Sequence, residues 1–133
     1  RPGPLDNDRR LRGAKLGAAT FARGEGLCVA DDRFAFTCTI GGLAQQGQVF
    51  TYKPSRFEGP TAEQDEPGEL TLIAESDRAS LLKNADNLTM APWGDLLVCE
   101  DTSGHCALAG IRPDDSPYAL ADNPHLRSEP APV

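Results

Sequence analysis

Two short clusters hold the side chains best suited to chemistry: Arg23 with Glu25, and Asp86 with Asn87. Glu25 and Asp86 lie 61 residues apart, and their neighbours repeat at the same offset, Leu27 with Leu88 and Ala30 with Ala91. Two carboxylates brought to matching places in successive units repel each other unless a proton or a cation lies between them. Hard, oxygen-seeking cations such as calcium suit such a pair, with the Asn87 amide as a neutral oxygen donor. Arg23, two residues before Glu25, points the same way on a strand, and its planar fork matches phosphate oxygens. The same residues also read as a surface Arg–Glu pair beside a turn-capping Asp and Asn. Both readings stand at this point.

Other chemical groups are less suggestive. Glu100-Asp101 closes an apolar run and reads as solvated, although such acids can serve as ligands. His105 follows Ser103-Gly104 and reads as a hairpin cap, while His125 falls in a polar tail. The four cysteines, Cys28, Cys38, Cys99 and Cys106, form no Cys-x-x-Cys and have no paired His, so they read as small buried thiols, with a disulfide left open. Trp93, within Pro-Trp-Gly, reads as a turn anchor that packs its ring over a sheet. There is no Gly-rich phosphate loop and no legible Ser–His–Asp arrangement.

The elements that must position these residues are short apolar runs between turn signals, an all-β pattern. Four runs, 26–31, 33–39, 48–53 and 69–76, precede four more at 87–91, 95–101, 105–113 and 118–122. In the second run Phe34, Phe36 and Cys38 share one face, with Ala35 and Thr37 on the other. The segment 77–86 has room for one helical turn, but its Leu81-Leu82 reads as a plug against the sheet. The 61-residue offset also pairs Phe36 with Leu97 and Cys38 with Cys99. Self-similarity of four strands per unit predicts two neighbouring blades of a β-propeller, with Glu25 and Asp86 at the channel mouth. The expected divisions are a flexible lead-in over 1–13, blade one with its connecting segment over 14–85, blade two over 86–125 and a polar tail over 126–133.

Composition narrows the partners. The chain has 133 residues, 13 Gly and 11 Pro, and a formal charge of −7, which offers nucleic acid no basic stripe. No apolar run reaches the length of a membrane span. Two blades do not close a ring, which takes about four to eight, and the chain opens on Arg1 rather than Met. It is therefore expected to be part of a larger propeller, or else to self-associate through exposed strand edges or pair small sheets face to face.

The segments GAATFARGEG (17–26), RFAFTCTIGG (33–42), GQVFTYKP (47–54), ELTLIAES (69–76) and above all DNLTMAPWGDLLVCED (86–101) resemble the PhoX-type alkaline phosphatase family, over roughly residues 14 to 125. The resemblance implies a propeller phosphatase that hydrolyses phosphate monoesters with calcium and iron and is exported, hence periplasmic or extracellular. It implies that Arg23 holds the phosphate, and that Glu25, Asp86 and Asn87 are metal ligands. The family's Asn-Cys-Gly-Gly-like segment, which serves the iron, has no counterpart here, so no cysteine is assigned to iron. These 133 residues alone are accordingly expected to lack robust phosphatase activity. A non-enzymatic propeller scaffold or binding module, and a calcium-dependent lactonase-like propeller, are the alternatives.

Overall fold

The computed structural model describes residues 7–104 and 106–123, so the readings placed on His105, on His125 and on the tail lie outside the described residues. A helix α1 (Asn7–Lys15) occupies a stretch where the sequence carries no helical period. Eight strands follow: β1 (Gly24–Ala30), β2 (Arg33–Cys38), β3 (Gln48–Lys53), β4 (Glu69–Glu75), β5 (Ala85–Met90), β6 (Leu96–Glu100), β7 (Cys106–Ile111) and β8 (Pro117–Asn123). They form two four-stranded antiparallel meanders, β1-β2-β3-β4 and β5-β6-β7-β8. All eight expected runs are strands.

Turn chemistry explains the connections. Asp31 takes φ 53°, a left-handed angle that Asp tolerates better than most residues, and closes the two-residue turn between β1 and β2. Gly94 takes φ 95° in the turn before β6. The Trp93 indole there is 61% exposed and donates to Asp95 Oδ2 at 2.9 Å, so it braces its own turn and does not cover the sheet as expected. Between the sheets, Asp77 Oδ1 accepts the backbone N–H groups of Ala79 (2.8 Å) and Ser80 (2.9 Å), which fixes a turn in place of a helix. Leu82 is the plug, 3% exposed, whereas Leu81 faces outward. No helix among the described residues is long and apolar enough to cross a membrane.

The core lies between the sheets. Ala35 and Val49 of the first sheet meet Leu88, Leu96, Val98, Ala109 and Ile111 of the second. The first sheet thus buries its small-residue face, and the face holding Phe34, Phe36, Phe50 and Tyr52 points away.

Strand register corrects the repeat. Leu27 pairs with Phe36 as Leu88 pairs with Val98, and Phe36 pairs with Phe50 as Val98 pairs with Ala109. Phe36 therefore corresponds to Val98 and not to Leu97, because the turn before β6 is one residue longer. A one-residue slip exchanges faces. The buried face of the second sheet (Leu88, Leu96, Val98, Ala109) is consequently the counterpart of the outward face of the first (Leu27, Phe34, Phe36, Phe50). The sheets stack front to back.

Candidate active site

Both first strands are irregular at the same point. In β1 the register shifts between Gly24↔Cys38 and Leu27↔Phe36, so Glu25 and Gly26 together face Thr37. In β5 it shifts between Ala85↔Glu100 and Leu88↔Val98, so Asp86 and Asn87 together face Cys99. Each is a β-bulge, a device that bends a strand and re-aims its side chains. Glu25, Asp86 and Asn87, singled out by sequence, all sit in bulges.

Two contacts hold the bulges against each other. A Cβ on Gly26 would lie 2.5 Å from the Asp86 carbonyl oxygen and 2.9 Å from the Asn87 Cα, so the backbones touch there because the residue is glycine. The Thr37 hydroxyl, fully buried, accepts the Gly26 N–H at 2.9 Å and donates to the Asp86 carbonyl oxygen. One side chain therefore fixes a donor of the first bulge and an acceptor of the second. Sequence reasoning missed Thr37. The only signal for it was its place on the small-residue face, opposite the acidic residue of the first unit.

Arg23 leads into β1 with φ 55°, and Asn84 leads into β5 with φ 47°. Left-handed geometry costs an ordinary side chain about 1–2 kcal/mol, and such strain clusters at functional sites. The carbonyl of each residue accepts from the residue just past the second strand: Thr39 N–H to Arg23 O at 2.9 Å, Asp101 N–H to Asn84 O at 3.0 Å. The Asn84 amide links the end of β2 to the start of β5 by donating to the Thr39 carbonyl at 3.0 Å. Thr39 Oγ1, buried beside this junction, has no hydrogen-bond partner.

The side chain of Arg23 then crosses from one sheet to the other. Its Nε donates to Glu25 Oε1 at 3.1 Å and its Nη2 to Asp101 Oδ2 at 2.8 Å. Asp101 first and Glu25 second raise the guanidinium pKa further, so Arg23 is a cation at every working pH. With side-chain exposures of 45%, 39% and 48%, these pairs position the groups and add little stability. A guanidinium has five N–H donors, and two are engaged here, which leaves three for a bound oxyanion.

The structure thus joins Arg23 and Glu25 to Asp101, a residue the sequence reading left to solvent. Its position, matching Thr39 in the first unit, was the available signal. Glu100, half-buried, is engaged as well: its carboxylate accepts the N–H groups of Lys83 (2.7 Å), ahead of β5, and Ala107 (2.9 Å), in β7. Asp86 is half-buried and joins through its backbone, while Asn87 is exposed. The donors are all oxygens, which suits a hard cation, but calcium takes six to eight of them. No group of three or more His, Cys, Asp or Glu among the described residues is arranged to hold a metal. The set does not make a metal site by itself. All four cysteines are free, and burial pushes the Cys28 and Cys38 thiols up, away from the thiolate that binds metal.

The arrangement is one cation held between carboxylates on two sheets, above a junction locked by the buried Thr37 hydroxyl. Neither a curated protein nor a solved structure matches the chain. The family model described as alkaline phosphatase PhoX matches residues 3–131, which takes in the strands, both bulges and Arg23. On that match, spanning nearly its whole length, the chain belongs to the PhoX alkaline phosphatase family.

Proposed function

We propose that this chain supplies the phosphate-holding part of a phosphate monoesterase, with Arg23 as the residue that contacts the phosphoryl oxygens. The observation that carries the reading is the Arg23 bridge from Glu25 to Asp101 above the paired bulges. Held at both ends, the fork presents its remaining N–H groups in a fixed direction. Preorganised donors aimed at developing charge are the strongest lever on phosphoryl transfer. Family membership supports a phosphate ester as substrate and metal cofactors in general.

The finer reading goes on from there. A phosphate dianion arriving beside Glu25, Asp86 and Asp101 meets more negative charge than one guanidinium offsets, so a further cation must accompany it. Calcium matches the oxygen donors Glu25, Asp86 and Asn87, with its remaining ligands drawn from beyond this set. Iron has no such match among these side chains and rests on the family alone. Thr37 and Gly26 position the acids and do not touch substrate. Turnover belongs to a larger propeller that carries this segment and works outside the cytoplasm, and the 133 residues alone are inactive.

The test is hydrolysis of p-nitrophenyl phosphate by the protein that carries this segment, with calcium titrated. Arg23→Ala should lower kcat/KM by at least about a hundredfold, the scale of losing one transition-state donor. Asp101→Asn should give a smaller loss, with KM rising more than kcat falls. Full activity in Arg23→Ala, or activity indifferent to chelator, overturns the reading.

A further inference from the structure

The two sheets part at the end of the strands farthest from Arg23. β1 and β2 pack on β5, and toward the turns that follow β1, β5 and β7 the inner faces line a cavity of about 360 Å³. Ile73 of the first sheet and Met90, Leu96 and Ile111 of the second form its wall, with Leu96 and Ile111 buried. Its mouth carries exposed charges from both sheets: Asp31, Asp32 and Arg33 at the turn after β1, and Arg112 and Asp115 at the turn after β7. An apolar wall with a few polar groups converging at the rim is the usual build of a small-molecule site. Because the wall belongs to the inner faces, a further sheet packed on either outward face leaves the cavity open. It shares no residue with the phosphate-holding group.

Charges of both signs ring this mouth, yet among the described residues none pairs across it. Asp32 is taken within its own sheet, by Arg33 Nε at 3.0 Å and Lys53 Nζ at 2.6 Å. Arg112 donates to Ser116 Oγ at 3.2 Å and lies over the Tyr118 ring, 4.4 Å from its centroid, so its fork holds no carboxylate. The Asp31 and Asp115 side chains have no hydrogen-bond or ion-pair partner among the described residues. Opposite charges that line one gap without closing on each other suit a ligand that bears both signs. An anion alone meets two unpaired carboxylates, and a cation alone leaves the Arg112 fork without the carboxylate it matches. The apolar wall asks in addition for a hydrocarbon side chain.

We infer that this cavity binds a free amino acid with an aliphatic side chain. The ammonium group is held at Asp31 and Asp115, the carboxylate at Arg112, and the side chain lies against Met90, Leu96 and Ile111.

Met90 is the chain's one methionine, so a methyl-labelled methionine gives a single nuclear magnetic resonance signal from the cavity wall. The test is titration of the labelled 133-residue chain with L-leucine. Three probes separate the parts of the ligand: isopentylamine lacks the carboxylate, isocaproate lacks the ammonium group, and glycine lacks the side chain. Leucine should shift the Met90 signal in a saturable way, and each truncated probe should bind at least about tenfold more weakly, the scale of one lost charged hydrogen bond. Asp31→Asn and Asp115→Asn suit the left-handed angles of 53° and 65°, which Asn tolerates, and circular dichroism checks that the strands are kept. Together they should weaken leucine and isopentylamine at least about tenfold and leave isocaproate no weaker. Leucine that leaves the Met90 signal unmoved at millimolar concentration overturns the inference. So does a truncated probe that binds as tightly as leucine, or a doubly substituted chain that binds leucine as the original does.

Discussion

Leu27 in β1 and Leu88 in β5 occupy the same register position, each just past a bulge, yet Leu27 is 67% exposed and Leu88 is 9%. The contrast holds across the sheets: Phe34 is 38% exposed where Leu96 is 6%. Strand order, bulge position and a left-handed residue ahead of the first strand are common to both units, so local structure does not explain the difference. A neighbour does, because the second sheet has one on that face. Burial here is a property of the stack, and an apolar strand pattern reports only that a face is suited to being covered.

The largest effects should come from breaking that equivalence at matched positions. Leu88→Ala removes a buried side chain from between the sheets and should cost about 2–5 kcal/mol, whereas Leu27→Ala should stay within about 0.5 kcal/mol in the monomer. Urea unfolding midpoints measured well below any associating concentration would compare them. Equal losses would mean that the two faces are packed alike. Next comes the second residue of each bulge. Gly26→Ala forces a methyl group to 2.5 Å from the Asp86 carbonyl and must part β1 from β5, at about 1–3 kcal/mol. Its counterpart Asn87 is exposed, so Asn87→Ala should change unfolding by less than about 0.5 kcal/mol.

Thr37 tests how the bulges are coupled. Thr37→Val keeps the shape, leaves the Gly26 N–H and the Asp86 carbonyl without their partner, and should cost about 1–3 kcal/mol. Thr37→Ser keeps both hydrogen bonds and should recover most of the loss. If Val and Ser behave alike in thermal unfolding, the hydroxyl is not what holds the two acids together.

Much of this was legible in the residues. Alternation and turn chemistry place all eight strands, and the 61-residue offset finds the matching acids because it is true across the first strand of each unit. It fails at the second strand, where one extra turn residue moves Phe36 onto Val98 and reverses the faces. A residue count cannot see that slip, since Leu97 and Val98 are equally apolar. Arg23 and Glu25 were visible as neighbours two residues apart. Asp101 lies 78 residues from Arg23, and only the stacking of the sheets brings them to 2.8 Å. Thr37 was hidden for a different reason: a threonine on a small-residue face gives no sign that its hydroxyl spans two strands.

The smallest effect separates the two cysteines that the sequence offset aligns. Register makes Cys38 the counterpart of Glu100 and Cys99 the counterpart of Thr37, so the pair should not behave alike. Cys99 is exposed on the outward face, and Cys38 is fully buried with its thiol pushed up by that burial. A thiol whose folded pKa exceeds its unfolded one contributes stability below the unfolded value, near pH 8.5, and loses it as pH rises from there through the folded value. Stability should therefore decline gently above about pH 8.5, and Cys38→Ala should flatten that slope. Alkylation followed by mass spectrometry gives the second readout. Cys99 should be modified in the native protein and Cys38 only on unfolding. Equal labelling rates at low concentration would return the two residues to equivalent places and undo the register on which the front-to-back stacking rests.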